Sequence, residues 1–281
     1  MTGGHHFLMT EFMPKEYQQL SAAQRKEIAA LKQSKHRKET GLFVMEGTRS
    51  VLDAAQAFTT VRLVATSAWL AEHGGELPKS LPEPLLAKRE DMERMSAMVT
   101  PQGVLAVCRI PEYQQEESLI PGPDELWLAL DRVQDPGNLG TIIRMADWFG
   151  IHTVLASADT VDCFNPKVIQ STMGAQARVR VIYVDDLASV LRNMPAELEI
   201  YGTFLGGEPL YEARLSRGGV IVMGNEGRGI SDEVAAAVNR RLTIPPFPAD
   251  AATVESLNVA MAASVTVAEF RRRAALDGRH L

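Results

Sequence analysis

The sequence predicts an α/β protein in two parts, a smaller N-terminal α/β domain and a larger one built on a mostly parallel sheet. Three observations predict it. Strand-like and helix-like segments alternate along the 281 residues. The strands of the second half, such as LWLAL (126–130) and GVIVM (219–223), are unbroken apolar runs, the pattern of strands covered on both faces. The alternation is interrupted by PEYQQEESLIPGPDE (111–125), an acidic, Gln-rich stretch with three prolines that reads as a linker.

Residues 1–14 read as a disordered leader, without the basic start and apolar stretch of a secretory signal. The N-terminal domain then spans 15–112. Ser21 and Gln24 suit a capping box, and the helix they open runs to about Lys38. Gly41 punctuates it. LFVME (42–46) is a strand, Thr48 to Phe58 a helix, and VRLVA (61–65) and GVLAVCR (103–109) are further strands. After the linker, placed at 113–124, the second domain covers 125–281. LWLAL leads into the turn DPGN (135–138), where Asn138 can cap the next helix. Leu139, Ile142, Ile143, Ala146 and Phe149 share one face of that helix, and Gly150 ends it. TVLA (153–156) follows as a strand. Asn165-Pro166 opens a helix that stops at Gly174. VRVIYV (179–184), EIYGTF (199–204), GVIVM and LTI (242–244) read as strands, Ser231-Asp232-Glu233 opens one more helix, and Ser256 opens the last one.

A composition of 46% hydrophobic and 23% charged residues excludes a disordered or fibrous chain. Two cysteines cannot build a disulfide framework, which makes a reducing cytoplasm the default, and six scattered histidines lack metal-ligand spacing. The longest apolar-leaning run, 259–268, is about half a membrane span. The formal charge of −6 argues against nucleic acid as partner, but it is uneven. Residues 1–50 hold eight Lys/Arg against five Asp/Glu, so the other 231 carry −9. Lys32, Lys35, Arg37 and Lys38 cluster there, either as a solvated helix face or as a short footprint for RNA phosphates.

No GxGxxG, P-loop, GxSxG or HExxH is present. Three clusters remain, each where open α/β sheets place ligands. In DRVQDPGNLGTIIRMADWFG (131–150), Asn138 is a cap or a functional amide. Arg144 lies about 140° from Leu139, off the apolar stripe, and its position near the positive end of the helix makes an anionic partner attractive. VMGNEGRGIS (222–231) sets Glu226 in a loop with three glycines. IPPFPADAATVESLNVAMAASVTVAEFRRR (244–273) places Ser256 and Asn258 ahead of a helix rich in small residues.

The order of these motifs, N-x5-R, then G-N-E-G-R-G, then I-P…E-S-L-N, resembles that of the SpoU (TrmH-like) family of RNA ribose 2′-O-methyltransferases, of the SPOUT class. SKHRKETGLFVMEG (34–47) and SAMVTPQGVLAV (96–107) resemble segments of that family's substrate-binding domain. The resemblance implies a trefoil-knotted catalytic domain, a homodimer formed through it, and S-adenosylmethionine as cofactor. It also implies that Thr203, Phe204, Gly206, Gly224, Asn225, Gly227, Ile244, Pro245, Ser256, Leu257 and Asn258 bind the cofactor. Glycines and apolar side chains suit an adenine, which takes apolar walls and amide hydrogen bonds. Arg144 matches the family's motif arginine. A guanidinium holds its proton, so this residue is expected to grip phosphate and stabilise a forming alkoxide. Glu226 and Asn258 are expected to orient Arg144, the ribose or the loops, with Asn138 assisting and Ser256 holding the cofactor loop. PPFPADAATVE (245–255) is longer than the family's usual link.

The reading is therefore an RNA 2′-O-methyltransferase acting on ribosomal RNA, with transfer RNA as the second substrate class. Two other classes stand beside it: a catalytically silent RNA-binding or assembly protein of the same fold, and an oxidoreductase, which the missing Gly-rich fingerprint disfavours.

Overall fold

The structure, a computed structural model, describes residues 16–113, 119–248 and 256–276. The predicted leader, the middle of the predicted linker and most of the long link before Ser256 lie outside them.

The N-terminal region opens with α1 (Ala22–Ala30), where Ser21 Oγ accepts from Gln24 N–H at 3.2 Å and Gln24 Oε1 accepts from Ser21 N–H at 2.9 Å. The single helix predicted to Lys38 is two helices, with α2 (Ser34–Thr40) following a turn. The Arg37 guanidinium causes the break. It donates to the carbonyls of Leu31 (2.9 Å) and Lys32 (3.0 Å), the acceptors a continued helix would use. Then come β1 (Leu42–Glu46), α3 (Thr48–Ala57), β2 (Thr60–Ala65), α4 (Ser67–His73), β3 (Leu85–Leu86), α5 (Arg89–Met95) and β4 (Val104–Arg109). Sequence patterning did not predict α4, β3 and α5, although Thr66, which caps α4 through Trp69 N–H, is a legible start signal. The sheet runs β1-β4-β2-β3, with β4 antiparallel to both its neighbours.

The second sheet is parallel throughout, in the order β10-β8-β9-β5-β6-β7. Its strands are β5 (Leu126–Leu130), β6 (Thr153–Ser157), β7 (Arg180–Val184), β8 (Ile200–Pro209), β9 (Gly219–Met223) and β10 (Arg240–Thr243). Every residue of β5 and β9 is buried, as unbroken apolar runs require in a sheet covered on both faces. Between the strands lie α6 (Pro136–Trp148), α7 (Pro166–Thr172), α8 (Leu187–Arg192) and α9 (Asp232–Ala235), and α10 (Val259–Leu276) closes the chain. Two caps differ from expectation. Asp135, not Asn138, caps α6, its Oδ1 accepting from Asn138 N–H at 2.9 Å. Asn258, not Ser256, caps α10, its Oδ1 accepting from Ala260 and Met261 N–H at 2.9 and 3.3 Å. In each case the residue whose side chain meets N–H groups two or three positions ahead takes the cap.

Three contacts hold the site's elements in place. A Cβ on Gly140 of α6 would overlap Ser171 Cβ and sit 2.9 Å from the Val168 carbonyl, so glycine lets α7 lie directly on α6. Arg271 of α10 donates to the carbonyls of Phe149 (2.8 Å) and Gly150 (3.2 Å), closing the C-terminal end of α6. Buried Glu269 accepts from Arg272 (2.7 Å) and Arg273 (2.6 Å) within α10.

The two sheets share one core. Phe43 of β1 stacks against Phe164 at 4.5 Å and Phe58 at 5.1 Å. Arg178 reaches Asp147 (2.8 Å) on one side and Asp53 (3.7 Å) on the other. Among the described residues no helix is long and apolar enough to cross a membrane, and no cluster of His, Cys, Asp or Glu is set to hold a metal ion. Cys108 and Cys163 are free and buried, and burial pushes their thiols up to about 11 and about 12.

Candidate active site

The carboxyl ends of β5 and β9 lie side by side, and the loops leaving them are tied together by side chains. Asp131, buried at the end of β5, accepts from Ser231 N–H at 2.6 Å and so closes the 224–231 loop onto its neighbour. Arg132 follows with φ 58°, a conformation uncommon for a side chain of this size. Its backbone is pinned on both sides, by Ser157 Oγ at 2.9 Å and by Asn225 Nδ2, which donates to its carbonyl at 2.8 Å.

The 224–230 loop is a closed hairpin in which Asn225 and Gly229 exchange backbone hydrogen bonds at 2.9 Å. A Cβ on Gly224 would overlap the Gly229 carbonyl carbon, so this glycine is dictated by the loop's own backbone. Asn225 Oδ1 accepts from the N–H groups of Gly227 (3.0 Å) and Arg228 (3.1 Å). The turn aims Glu226 at the start of α6.

There a three-residue chain forms. Asn258 Nδ2 donates to Asn138 Oδ1 at 2.9 Å, and Asn138 Nδ2 donates to Glu226 Oε1 at 2.9 Å. Glu226 also accepts from the backbone N–H of Asp135 (3.3 Å) and Gln134 (3.5 Å). The chain joins the loop after β5 to the loop after β9 and to the start of α10, which lie 88 and 120 positions from Asn138 in sequence. Asn138 is thus an amide bridge whose two ends are both used. Ser256 and Leu257 stand exposed beside it.

Arg144 is not part of the chain. It is the ninth residue of α6, roughly 12 Å along the axis from Pro136 at 1.5 Å per residue, and so it is not near the positive end as the sequence suggested. Glu226 and Asn258 orient Asn138 and the loops rather than Arg144. With Thr141 and Trp148 it forms an exposed stripe of the helix, and among the described residues its side chain makes no hydrogen bond or ion pair. The guanidinium is left free to meet an anion from outside.

The segment predicted to bind a cofactor at 203–206 is an excursion from the sheet. β10 pairs Arg241 with Gly202 and the next residue, Leu242, with Glu208, so residues 203–207 leave the ladder between two consecutive positions of their partner. Thr203 Oγ1 donates to Met223 Sδ at 3.7 Å, and the Phe204 ring lies 3.5 Å under the Arg241 guanidinium. Those side chains are engaged, which leaves Leu205, 82% exposed, and Gly206, beside which a Cβ would meet only open space. A Cβ on Gly227 would likewise meet nothing closer than 3.8 Å. Ile244 and Pro245 are half-buried at the end of β10, and Leu257 is 44% exposed. Accessible glycine backbone and uncovered apolar side chains are the kinds of group that an adenine nucleoside takes as contacts.

The predicted RNA-binding cluster is partly corrected. Arg37 is 1% exposed and donates to Asp162 at 2.6 Å, because its side chain is the strut that ends α1 and crosses to the second sheet. It cannot also hold RNA. Lys32 donates to the Arg94 carbonyl at 2.8 Å, Lys35 pairs with Glu39 at 3.8 Å, and Lys38 is exposed. Sequence reasoning missed Asp131 and Arg132, although an Asp-Arg pair directly after a buried strand marks the position where open sheets bind ligands.

Residues 125–268 match the model of the SpoU rRNA methylase family, and residues 23–106 match that of the MRM3-like substrate binding domain. The chain is 31% identical over 242 residues to the 23S rRNA (guanosine(2553)-2′-O)-methyltransferase RlmP of Bacillus subtilis, covering 84% of this chain and 91% of that one. It is 31% identical over 254 residues to an uncharacterized tRNA/rRNA methyltransferase of Synechocystis, covering 88% and 90%. Among solved structures it resembles the AdoMet-bound rRNA methyltransferase of Sinorhizobium meliloti, with a TM-score of 0.79, 30% identity, and 92% and 98% of the two chains covered.

Proposed function

Because the chain belongs to the SpoU rRNA methylase family, we propose that it transfers the methyl group of S-adenosylmethionine to a ribose 2′-hydroxyl of ribosomal RNA. The observation that carries this is the Asn258–Asn138–Glu226 chain, which fixes three separate loops around one point at the carboxyl edge of a parallel sheet.

The cofactor supplies, when bound, an electrophilic methyl group. The protein's part is binding and position. Gly206, Gly224 to Gly227, Ile244, Pro245 and Ser256 to Asn258 hold the cofactor through backbone groups and apolar contacts, with Thr203 and Phe204 anchoring the excursion that presents Gly206. Glu226 and Asn138 act as positioning residues, since they bond to each other and to loop backbone. Ser256 steadies the loop that leads into α10. Arg144 grips the phosphate beside the target ribose and stabilises the alkoxide as it forms, remaining protonated throughout. Fixing the reacting groups supplies much of the rate.

The functional protein is a homodimer in the cytoplasm. Trp148, 85% exposed, extends the Arg144 stripe, and Met261, 60% exposed, stands on α10, which packs on α6. A second copy covering this face would carry each Arg144 toward the partner's loops, which explains a guanidinium with no partner of its own. The division at 113–124, into a substrate-binding domain and a knotted catalytic domain, completes the reading. Mapping ribose methylation in total RNA with and without the gene tests it. One 2′-O-methyl group should vanish from ribosomal RNA, and an unchanged ribosomal map rejects the proposal. Calorimetric titration with S-adenosylmethionine separates the enzyme, which binds it, from a silent module, which does not.

A further inference from the structure

A cleft lies between the two sheets on the side of α7 away from α6. β1, the start of α3 and the 96–102 loop form one wall, and α7 forms the other. Pro166, Ile169, Gln170 and Met173 face it at i, i+3, i+4 and i+7, while Val168 and Ser171 of the same segment face Gly140 of α6. α7 therefore stands between the cleft and α6, the helix that carries Asn138 and Arg144.

Three features suit a flat, partly polar ligand with a negative charge at one side. Val44 and Met98 oppose Ile169 and Met173 as apolar walls. The side-chain amides of Gln102 and Gln170 make no hydrogen bond among the described residues, which leaves donors and acceptors for the edge of a base. Arg49 is 78% exposed at the rim, with Asp53 at 3.9 Å as its carboxylate neighbour. Glu46 is not a free charge in the cleft, because it accepts from Ser96 Oγ and from Ala97 N–H (2.8 Å) and so braces the 96–102 loop. Met173 ends α7 in the left-handed conformation common at helix C-termini (φ 53°) and presents 53% of its surface to solvent at the cleft.

We propose that this cleft binds an unpaired nucleotide of the substrate RNA flanking the methylated ribose, with the base between the Val44/Met98 and Ile169/Met173 walls and the phosphate on Arg49. This rests on the reading of the chain as an RNA methyltransferase. It places the RNA track along α7 and α3 rather than on the basic run at Lys32 to Lys38. Apolar contact with the faces of a base, hydrogen bonds to its edge and one phosphate contact together supply affinity that a chain of net charge −6 does not supply by long-range attraction.

The test uses the full chain and ribosomal RNA extracted from cells lacking the gene. Arg49→Glu and the double variant Gln102→Ala/Gln170→Ala are compared with wild type in methyl-transfer kinetics and in RNA filter binding. Each should raise KM for RNA about tenfold. The kcat should stay within about twofold and the affinity for S-adenosylmethionine should be unchanged. Met173→Gly covers the case in which the double variant fails to fold. It relieves the left-handed backbone and so keeps or raises the melting temperature, yet it should weaken RNA binding, which a purely structural role would not do. Unchanged RNA affinity in all the folded variants overturns the proposal. If wild type transfers no methyl to any RNA, the methyltransferase reading fails by itself, and filter binding alone then decides the cleft.

Discussion

Arg144 and Asn138 stand on one helix and divide the work between reaching outward and holding the site together. Arg144 faces solvent with no partner among the described residues, whereas both ends of the Asn138 amide are used. Replacing Arg144 by Ala should lower methyl transfer by about 100-fold or more, the scale of one lost charge-stabilising donor. Affinity for S-adenosylmethionine, read by calorimetry, should stay within about twofold. Asn138→Asp should behave oppositely. It sets a second carboxylate against Glu226, now 2.9 Å from the Asn138 amide nitrogen, and two such groups cannot both ionise cheaply. The repulsion loosens the loops that hold the cofactor, so the variant's affinity for S-adenosylmethionine, read by calorimetry, should fall below that of wild type. Both residues were legible in the sequence as polar positions in one motif. That Arg144 is unpaired while Asn138 is a bridge was not, because the partners of Asn138 lie 88 and 120 positions away.

Two elements carry the site, the 224–230 loop and α10. In the loop, Gly224→Ala puts a methyl group into the Gly229 backbone, which cannot move without opening the Asn225–Gly229 hairpin. The expected cost is about 2 kcal/mol or more of stability, read by denaturant unfolding, together with loss of cofactor binding. Gly227→Ala in the same loop meets open space and should leave folding within about 0.5 kcal/mol. In α10, hydrogen bonds from Arg272 and Arg273 hold the Glu269 carboxyl at about 2, below its ordinary 4.5. Since the folded value is the lower one, this contribution is complete above about pH 4.5 and is lost as pH falls toward 2. Glu269→Gln should remove that part of the acid dependence, so its melting temperature should approach that of wild type as both are taken from pH 5 to about pH 3. The glycines of the loop and the small residues of α10 were visible beforehand. Which glycine serves the backbone and which leaves room for a ligand depended on what lies across from each.

At the scale of the whole molecule, a side chain that the sequence assigned to the surface adds a buried ion pair to the core that the two sheets share. Arg37 ends α1, fills the gap between the sheets and meets Asp162, 125 positions away. Replacing it with Ala should destabilise the protein by about 3 kcal/mol, since the pair is mostly buried, and denaturant unfolding should show it. Lys35→Ala, at a solvent-exposed ion pair, should change stability by less than about 0.5 kcal/mol. The strand–helix alternation, the parallel sheet and the order of the three motifs were determined by the sequence alone, because each follows from local periodicity, turn chemistry and residue order along the chain. Tertiary structure decided the rest: the break between α1 and α2, the capping of α10 by Asn258, the excursion at 203–207, and the placing of Asn138, Glu226 and Asn258 within hydrogen-bond reach. The excursion and the Asn138 chain are set by groups distant in the sequence, while the helix break and the α10 cap use near neighbours among which the surrounding fold selects the side chain that takes the bond.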